Sequence, residues 1–533
     1  MEEFGSGKPK FVLEFLVEVV GGGQEGAGII ADEVGALVFD PGSHTFRVGF
    51  AGEEFPKASF FFFSSLKLWN YGGDIPSQVG VREMVDEMDN TIDQCAQKPI
   101  MKEYFIGRTF VNVPRARTEI KSYMKDCMID DWDIFEQLVD YSYSRILFSE
   151  SQYQPVLFSE AAWNTKANRE KLTELMFEKY NVPTFYVVKN AVLSCYANGR
   201  TAGLILDSGA TQTSAVPVFD GYCITHAVVK QPVGGDMIAD QCRLMLEEQK
   251  IDLVPSYRIA AKEVVNEMEP PVWTAKKNLP EVTKSYETYM EKQILEDLAA
   301  SVLQCCDTPI DVEFAEKLPS SPFCFPNGYS KEFQAERIKI PEGLFDTNYL
   351  KAVNASSIMS VSQIAATACG MCDIDIRPTM YSGLMVTGGN SLLMGFTERL
   401  NHDLAHKCPP TIKLRVYAAP TPMERRFGAW IGGSILASLE IFVDCIHAAV
   451  DILDSPVSPS YSSPRTLQLP VAVRSKAVKS KKNIWSPISS GHNRLKMLNL
   501  QDVGATLSIR HACNKGYSET VAKKKVVDNK DLE

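Results

Sequence analysis

Apolar and polar residues alternate most clearly in two stretches that share one plan. GALVFDPGSHTFRVGF, from Gly35, is an apolar run, the turn-forming DPGS and a second strand-like run, predicting a β-hairpin whose tight turn begins at Asp40. AGLILDSGATQTSAVPVFDGY, from Ala202, repeats it: apolar strand, Asp, one residue, Gly, a small residue, then a second strand leading to Gly. Asp40 and Asp207 lie 167 positions apart, so the repeat predicts two related halves, each opening strand–turn–strand. Between them, DDWDIFEQLVDYSYS carries Trp132, Ile134, Phe135 and Leu138 as a helical stripe. PVLFSE reads as a strand. In ANREKLTELMFEKY, Leu172, Leu175, Met176 and Tyr180 share a helical face, with Asn164 or Thr165 as the cap. FYVV is a strand and NAVLSCYANG a helix stopped by Gly199.

Further on, LMVTGGNSLLMGFTERLNHDL predicts a strand ending at Val386 and a Gly388–Gly389 turn. A helix with Leu392, Phe396, Leu400 and Leu404 on one face should follow. WIGGSILASL is an apolar helix whose two glycines permit close packing. Strands alternating with helices place the chain in the α/β class. Residues 1–31 are Gly-rich and unpatterned, which predicts a disordered leader. Phe60 to Glu103 is irregular. Apolar patterning runs past Glu440 to about Leu453, and Ser/Pro-rich then basic sequence follows as an expected flexible tail.

With 533 residues, 45% hydrophobic and 23% charged, the chain has room for two to four domains of roughly 100–200 residues. Fibrous, collagen-like and wholly disordered classes are excluded. Phe11 to Val20 is the longest apolar stretch near the N-terminus, but it contains Glu14 and Glu18 and falls short of the ~20 residues a spanning helix needs. A soluble, non-secreted chain without membrane attachment is expected. Thirteen cysteines without an even framework read as reduced thiols. Cys369 and Cys372 in CGMC have metal-ligand spacing but no second pair, and read as ordinary helix. Net charge is −11, which argues against a general nucleic-acid surface. From Val471 to Glu533 there are 13 Lys/Arg against 5 Asp/Glu, so the tail is +8 and the remainder −19. A solvated tail is the expectation, and direct DNA contact is not.

Two hairpin turns with small residues can aim successive backbone N–H groups at an anion, because a β-carbon would block close approach. Each turn also ends a strand on an Asp, where a carboxylate can hold a water of a bound magnesium ion. Arg47, on the returning strand, is placed to pair with a phosphate oxygen. Gly388–Gly389 ahead of a helix would offer the helix N-terminus. One D-x-G turn alone is simply a good β-turn. Two copies in matched contexts plus the third glycine turn favour a two-lobed fold that clamps phosphates between lobes. Sugar kinases, chaperone ATPases and actins share that logic.

The residues also carry a family likeness. GALVFDPGSHTFRVGFAGE, NTKANREKLTELMFEKYNVP, NGRTAGLILDSGATQT and RRFGAWIGGSILASL resemble actin, from about Asp32 to Phe442 and weakly between Phe60 and Glu103. DEVGALVFD, SEAAWNT, DSGATQT (two residues short of actin's turn), FPNGY, ERIKIPEGLFD and GMCDIDIRP resemble the nuclear actin-related proteins, specifically the actin-like protein 6 family. The resemblance implies an α/β, actin-like two-lobed fold. Each lobe would be a five-stranded-type mixed sheet flanked by helices, with a nucleotide cleft between. It divides the chain into a leader (1–31), a small lobe (32–186 with 420–442), a large lobe (187–419) and a divergent basic tail (443–533).

By position, Asp40, Gly42, Ser43 and Arg47 match actin's first phosphate loop, with Arg47 in place of lysine and His44 in place of a glycine. Asp207, Ser208 and Gly209 match the second loop, followed here by Ala210 rather than actin's Asp–Gly pair. With Gly388 and Gly389 these form the expected nucleotide site, for ATP or ADP with Mg2+, and Asp40 and Asp207 are the expected metal carboxylates. Gln212 stands where actin has the histidine that helps order the attacking water, and Asn190 where it has the water-positioning glutamine. Asn190 is one methylene shorter, and ~1 Å of misplacement can cost ~100-fold in rate. No catalytic residue is therefore expected. Ala299 and Ala300 fall where a Lys–Glu pair would flank the adenine.

Family membership further implies a non-catalytic scaffold subunit in the nucleus, within SWI/SNF-type chromatin remodellers and histone acetyltransferase complexes. It would pair with nuclear actin on the helical region of the remodeller's ATPase subunit. An ATP-hydrolysing, polymerising cytoskeletal protein is the alternative, against which stand the altered water site and the loss of actin's last helices after SILASL. A sugar-kinase-like enzyme would need a general-base Asp in the cleft, and none stands out.

Overall fold

The computed structural model describes residues 35–57, 74–84, 101–263, 265–266, 269–351, 357–439, 470–473 and 497–499. The expected leader, the Phe60 patch, the apolar continuation to Leu453 and most of the tail lie outside these residues.

The first sheet is built on β1 (Leu37–Pro41), β2 (Thr45–Phe50), β3 (Asp74–Pro76), β4 (Val156–Glu160) and β5 (Thr184–Lys189), in the order β5-β4-β1-β2-β3. β1 and β2 form the predicted antiparallel hairpin, and β4 runs parallel to both β1 and β5. Helix α1 (Trp132–Tyr141) starts where Asp131 Oδ1 accepts the Ile134 amide at 3.0 Å. Helix α2 (Lys166–Glu178) starts where Thr165, not Asn164, accepts the Asn168 amide at 3.2 Å. A three-stranded antiparallel sheet, Met101–Phe105, Gln78–Met84 and Thr118–Ser122, occupies part of the interval that the pattern left irregular.

Two departures concern β5. It runs to Lys189, through the expected lobe boundary at 186/187, before helix α3 (Asn190–Ala197) begins. Its outer edge pairs antiparallel with Pro470–Val473, which pairs in turn with Met497–Asn499, so among the described residues the sheet has seven strands rather than five. Two pieces of the expected disordered tail are thus strands. The reason is backbone chemistry: an edge strand presents unpaired N–H and C=O groups that an extended segment satisfies.

The second sheet has six strands. β6 (Gly203–Ser208) and β7 (Thr213–Phe219) repeat the first hairpin, and β8 (Leu384–Thr387) and β9 (Val416–Ala418) follow in parallel. Tyr222–Cys223 and Val229–Gln231 complete it alongside β7. Around it lie α4 (Gly235–Glu248), α5 (Lys284–Val302), α6 (Val361–Met371), α7 (Phe396–Lys407) and α8 (Pro422–Ala437). A capping box between Thr421 and Glu424 opens α8, with Pro422 in its first turn. Cys369 and Cys372 are buried at the C-terminal end of α6, and the cysteines among the described residues are free thiols. No helix among the described residues is long and apolar enough to cross a membrane.

Side-chain alternation sorts each central strand into two cores. Leu37, Phe39, Val156 and Phe158 face an outer core with α1 and α2. Leu204, Leu206, Leu384 and Val386 face another, with α4 to α7. The residues between them, Val38, Leu157, Ile205 and Met385, meet in a middle core with Leu193 of α3 and Trp430 of α8. Both sheets are thereby covered on two faces, which explains the continuous apolar runs.

Within the middle core, α8 crosses α3 so closely that a β-carbon on Gly432 would overlap the Leu193 carbonyl oxygen. Gly433 would instead meet the end of the Val38 side chain at 2.8 Å. Gly432→Ala is expected to destabilise the protein by about 3 kcal/mol, because backbone cannot yield as a side chain can. Gly433→Ala should lose much less, since alanine's helix propensity offsets part of the crowding. Thermal and urea unfolding of the two variants checks this; equal, small losses would contradict it.

Candidate functional site

The strand ends of the two hairpins converge on one cleft of about 1010 Å³. Asp40, Gly42, Ser43, Arg47, Asp207, Gly209, Ala210, Gly388 and Gly389 all line it, as do Asn190, Gln212, Ala299 and Ala300. In the first turn the Gly42 amide donates to Thr45 O at 3.0 Å, and a β-carbon there would come within 2.7 Å of that same oxygen. In the second, Gly209 donates to Gln212 O at 3.0 Å, and the Ser208 and Thr213 hydroxyls bond at 2.8 Å. At the tips, the amides of Ser43, His44, Ala210 and Thr211 take no hydrogen bond among the described residues. They are donors on residues that line the cleft, as an anion cradle requires.

Gly388 adopts φ +92°, and its amide donates to Arg425 O at 3.0 Å; a β-carbon would lie 2.5 Å from Asp207 Oδ1. Its glycine is therefore demanded by contact between the second and third turns. Gly389 has no atom within 4 Å of where its β-carbon would stand. The expected helix does not begin here. Gly389–Leu392 is one 3-10 turn, and α7 starts at Phe396 after Gly395 breaks the chain direction at φ +78°. The third turn contributes backbone groups, not the N-terminus of a full helix.

Charges in the cleft are unevenly matched. Asp40 is bound on both oxygens, by Arg47 Nη1 at 2.8 Å and by the Ser159 hydroxyl. Arg47 Nε lies 3.7 Å from Asp74, which also takes Arg426 at 3.0 Å. Burial alone would lower the Arg47 pKa, but Asp40 and Asp74 together more than offset it and hold it above its ordinary value. Arg47 thus crosslinks two carboxylates through Nη1 and Nε while lining the cleft. Burial pushes the Asp207 carboxyl up to about 6, opposed by Arg47 and assisted by Asp40. Among the described residues no cluster of three or more acidic, His or Cys side chains could hold a metal ion. Asp207, whose carboxylate has no hydrogen-bond or ion-pair partner among the described residues, therefore fits a cation that arrives with its own phosphate and water ligands rather than one held by a protein cage.

Several residues that close the cleft escaped sequence reasoning. The Thr211 hydroxyl donates to Ser43 Oγ at 3.2 Å, and Cys127 Sγ lies 3.0 Å from the same oxygen. Lys230 pairs with Asp126 and stacks over Trp163, whose Nε1 donates to Asp126 O at 2.9 Å. His44 Nδ1 is 3.7 Å from Glu296, and Lys292 bridges Glu296 and Asp236 at 3.8 and 2.8 Å. Lys292 and Glu296 stand at i, i+4 on α5, so a Lys–Glu pair does reach this region, N-terminal to Ala299 and Ala300. That spacing was the available signal. Desolvation in the cleft lowers the His44 pKa and Glu296 opposes the shift, which weakens the charged form of this contact.

The two water-positioning candidates are differently disposed. Asn190 Oδ1 accepts the amide of Ala191 at 2.8 Å and so is turned into the start of its own helix. Gln212 Nε2 is buried without a well-formed hydrogen bond among the described residues, its side chain lying beside the Cys127 thiol. An unpaired buried donor is destabilising unless a ligand or water satisfies it.

Comparison with known proteins adds to this geometry. A family model described as Actin matches residues 31–447. The chain is similar to proteins named Actin-related protein 4. The one from Arabidopsis thaliana is 32% identical over 433 residues, covering 77% of this chain and 94% of its own length. That from Oryza sativa subsp. japonica is 32% identical over 436 residues, with 77% and 94% covered. For Yarrowia lipolytica the values are 32% over 419 residues, 77% and 91%.

Asp207 supplies a direct test of the site's electrostatics. With its pKa raised to about 6, the carboxyl favours the folded state fully only below its unfolded value near 3.8, and that advantage is lost as pH rises through 6. Asp207→Asn should therefore raise the melting temperature at pH 7.5 without nucleotide, by a few degrees for about 2 kcal/mol. The gain should shrink as pH falls toward 5, and stabilisation by magnesium nucleotide should disappear. A variant less stable than the parent without nucleotide would contradict the assignment.

Proposed function

The chain belongs to the actin family, and from that premise we propose that it is a nucleotide-binding, non-hydrolysing, actin-related scaffold subunit of nuclear chromatin complexes. The motifs resemble the actin-like protein 6 family, whereas the similar proteins carry the name Actin-related protein 4. The proposal rests on what the two share, a nuclear actin-related protein.

One observation supports the non-catalytic reading most: Asn190, a methylene shorter than glutamine, has its side-chain oxygen held by the Ala191 amide 2.8 Å away, which fixes that oxygen at the start of its own helix and leaves it one lone pair for a water. The binding half of the reading draws on the unpaired amides of Ser43, His44, Ala210 and Thr211 for phosphate oxygens, and on Asp207 for the cation or its waters. When bound, magnesium would screen phosphate charge; in the proposed role it serves cleft closure. Arg47 and Arg426 would hold Asp40 and Asp74 in place beneath the first turn.

As a scaffold the protein would sit in SWI/SNF-type remodellers and histone acetyltransferase complexes, paired with nuclear actin on the helical region of the ATPase subunit. Tagged full-length chain, purified from nuclei beside a version ending at Phe442, tests this. Recovery of a remodeller ATPase subunit together with actin is the expected result. Recovery by the full chain alone would assign the pairing to the C-terminal region. A full chain that enriches neither partner contradicts the proposal.

A further inference from the structure

Helix α7 carries two imidazoles that the nucleotide reading does not use. His402 and His406 stand at i, i+4, the spacing that puts two side chains on one helix face, and neither lines the cleft. Their ring centres are 4.8 Å apart, with the ring planes inclined at 51°. A metal ion about 2.0–2.1 Å from one nitrogen of each ring, with a bond angle of about 90–110°, would hold the ring centres roughly 4.5–5.2 Å apart. The observed pair falls inside that range.

In each ring the other nitrogen already faces an acceptor. His406 Nδ1 lies 2.9 Å from His402 O. A carbonyl oxygen only accepts, so Nδ1 carries the proton and Nε2 keeps its lone pair. His402 Nδ1 is buried and faces Asp403 Oδ1 at 3.6 Å, an attraction without a hydrogen bond. The His402 side chain is nevertheless 36% exposed, so solvent reaches the opposite edge of the ring, which carries Nε2. Asp403 Oδ1 also accepts Arg399 Nε at 2.9 Å, and the buried Arg399 donates to both Glu342 oxygens at 2.7 Å. The carboxylate that orients His402 is thereby fixed from the core. Metal-ligating histidines characteristically give their second nitrogen to a carbonyl or a carboxylate, and this pair has one of each.

We propose that Nε2 of His402 and Nε2 of His406 chelate a divalent ion of the zinc, copper and nickel class, with water in the remaining positions. Imidazole suits these ions, and the last turn of a helix favours positive charge. Two protein nitrogens are a partial shell, in keeping with the lack of a three-ligand cluster among the described residues. The ion fastens the last turn of α7 to the turn before it, so binding stabilises the folded chain.

Calorimetric titration of the full chain with Ni2+ alone, without nucleotide, tests this. Thiols also bind nickel, and the chain has 13 cysteines, so the comparison among variants decides. His402→Gln and His406→Gln are each expected to weaken binding tenfold or more. The double variant should be no weaker than either single one, because a chelate is lost with its first arm. Cys408→Ser, the next thiol along the chain, should bind like the parent. Ni2+ should raise the melting temperature of the parent and of Cys408→Ser but not of the histidine variants. His406 is exposed, so its variant tests the chelate without disturbing the core. No binding by the parent, unchanged binding in His406→Gln, small additive losses in the two histidine variants, or a loss confined to Cys408→Ser would each overturn the proposal.

Discussion

Helix α8 lies across α3 with Gly432 directly against the carbonyl of Leu193, and both helices fill the space between the two sheets. That crossing sets where everything else can stand. Trp430 is fully buried in the same layer and donates from Nε1 to Val38 O at 3.1 Å, tying α8 to the centre of the first sheet. At its other end, Arg425 O accepts the Gly388 amide and the Thr387 hydroxyl at 3.0 and 2.9 Å, tying it to the second. A helix too bulky to approach would separate β1 from β6, and with them the hairpin ends that form the cleft. The close approach therefore controls function through geometry rather than through any group at the site.

Charge distribution follows from that geometry. Four ionised groups, Asp40, Arg47, Asp74 and Arg426, form a continuous partnered series beneath the first turn. Buried charges persist when paired: Asp40–Arg47 and Asp74–Arg426 are hydrogen-bonded pairs, while Arg47 Nε and Asp74 Oδ1, 3.7 Å apart, attract without a hydrogen bond. Asp207 has no such pair among the described residues. Its carboxyl is left to the cleft with a pKa pushed up to about 6, the kind of local instability expected where a ligand is to be bound. Gln212 Nε2, buried without a well-formed hydrogen bond, adds a second weakly satisfied group from the same turn. Asn190, in contrast, is satisfied locally. On the proposed reading, the cleft holds a charged ligand and lacks a well-placed group to aim water at it.

The strand–turn–strand repeats were legible because Asp, Gly and a small residue break two runs whose alternate residues pack on opposite sides of a sheet. The face of α2 was legible from Leu172, Met176 and their spacing, and the glycines of α8 from their setting in an apolar helix. What joins distant segments was not. His44 meets Glu296, Thr211 meets Ser43, and Thr118 meets Thr283, and no local pattern announces such partners. The turn after Gly388 was misread because Leu392 continues a helical spacing that Gly395, in a left-handed conformation, interrupts. Pairing of Pro470–Val473 with β5 depends on an open sheet edge, which exists only once the fold is assembled. The second carboxylate beside Arg47, Asp74, was not legible because it sits on a strand with no motif to mark it.

The central claim, a cleft that retains nucleotide without turning it over, is tested most directly by single-turnover analysis. Purified full-length protein would be loaded with γ-labelled ATP and magnesium, freed of unbound nucleotide, and sampled over hours for bound ATP, bound ADP and released phosphate. Retention of close to one uncleaved ATP per chain is the predicted result. Stoichiometric phosphate release, with ADP left in the cleft, would contradict it.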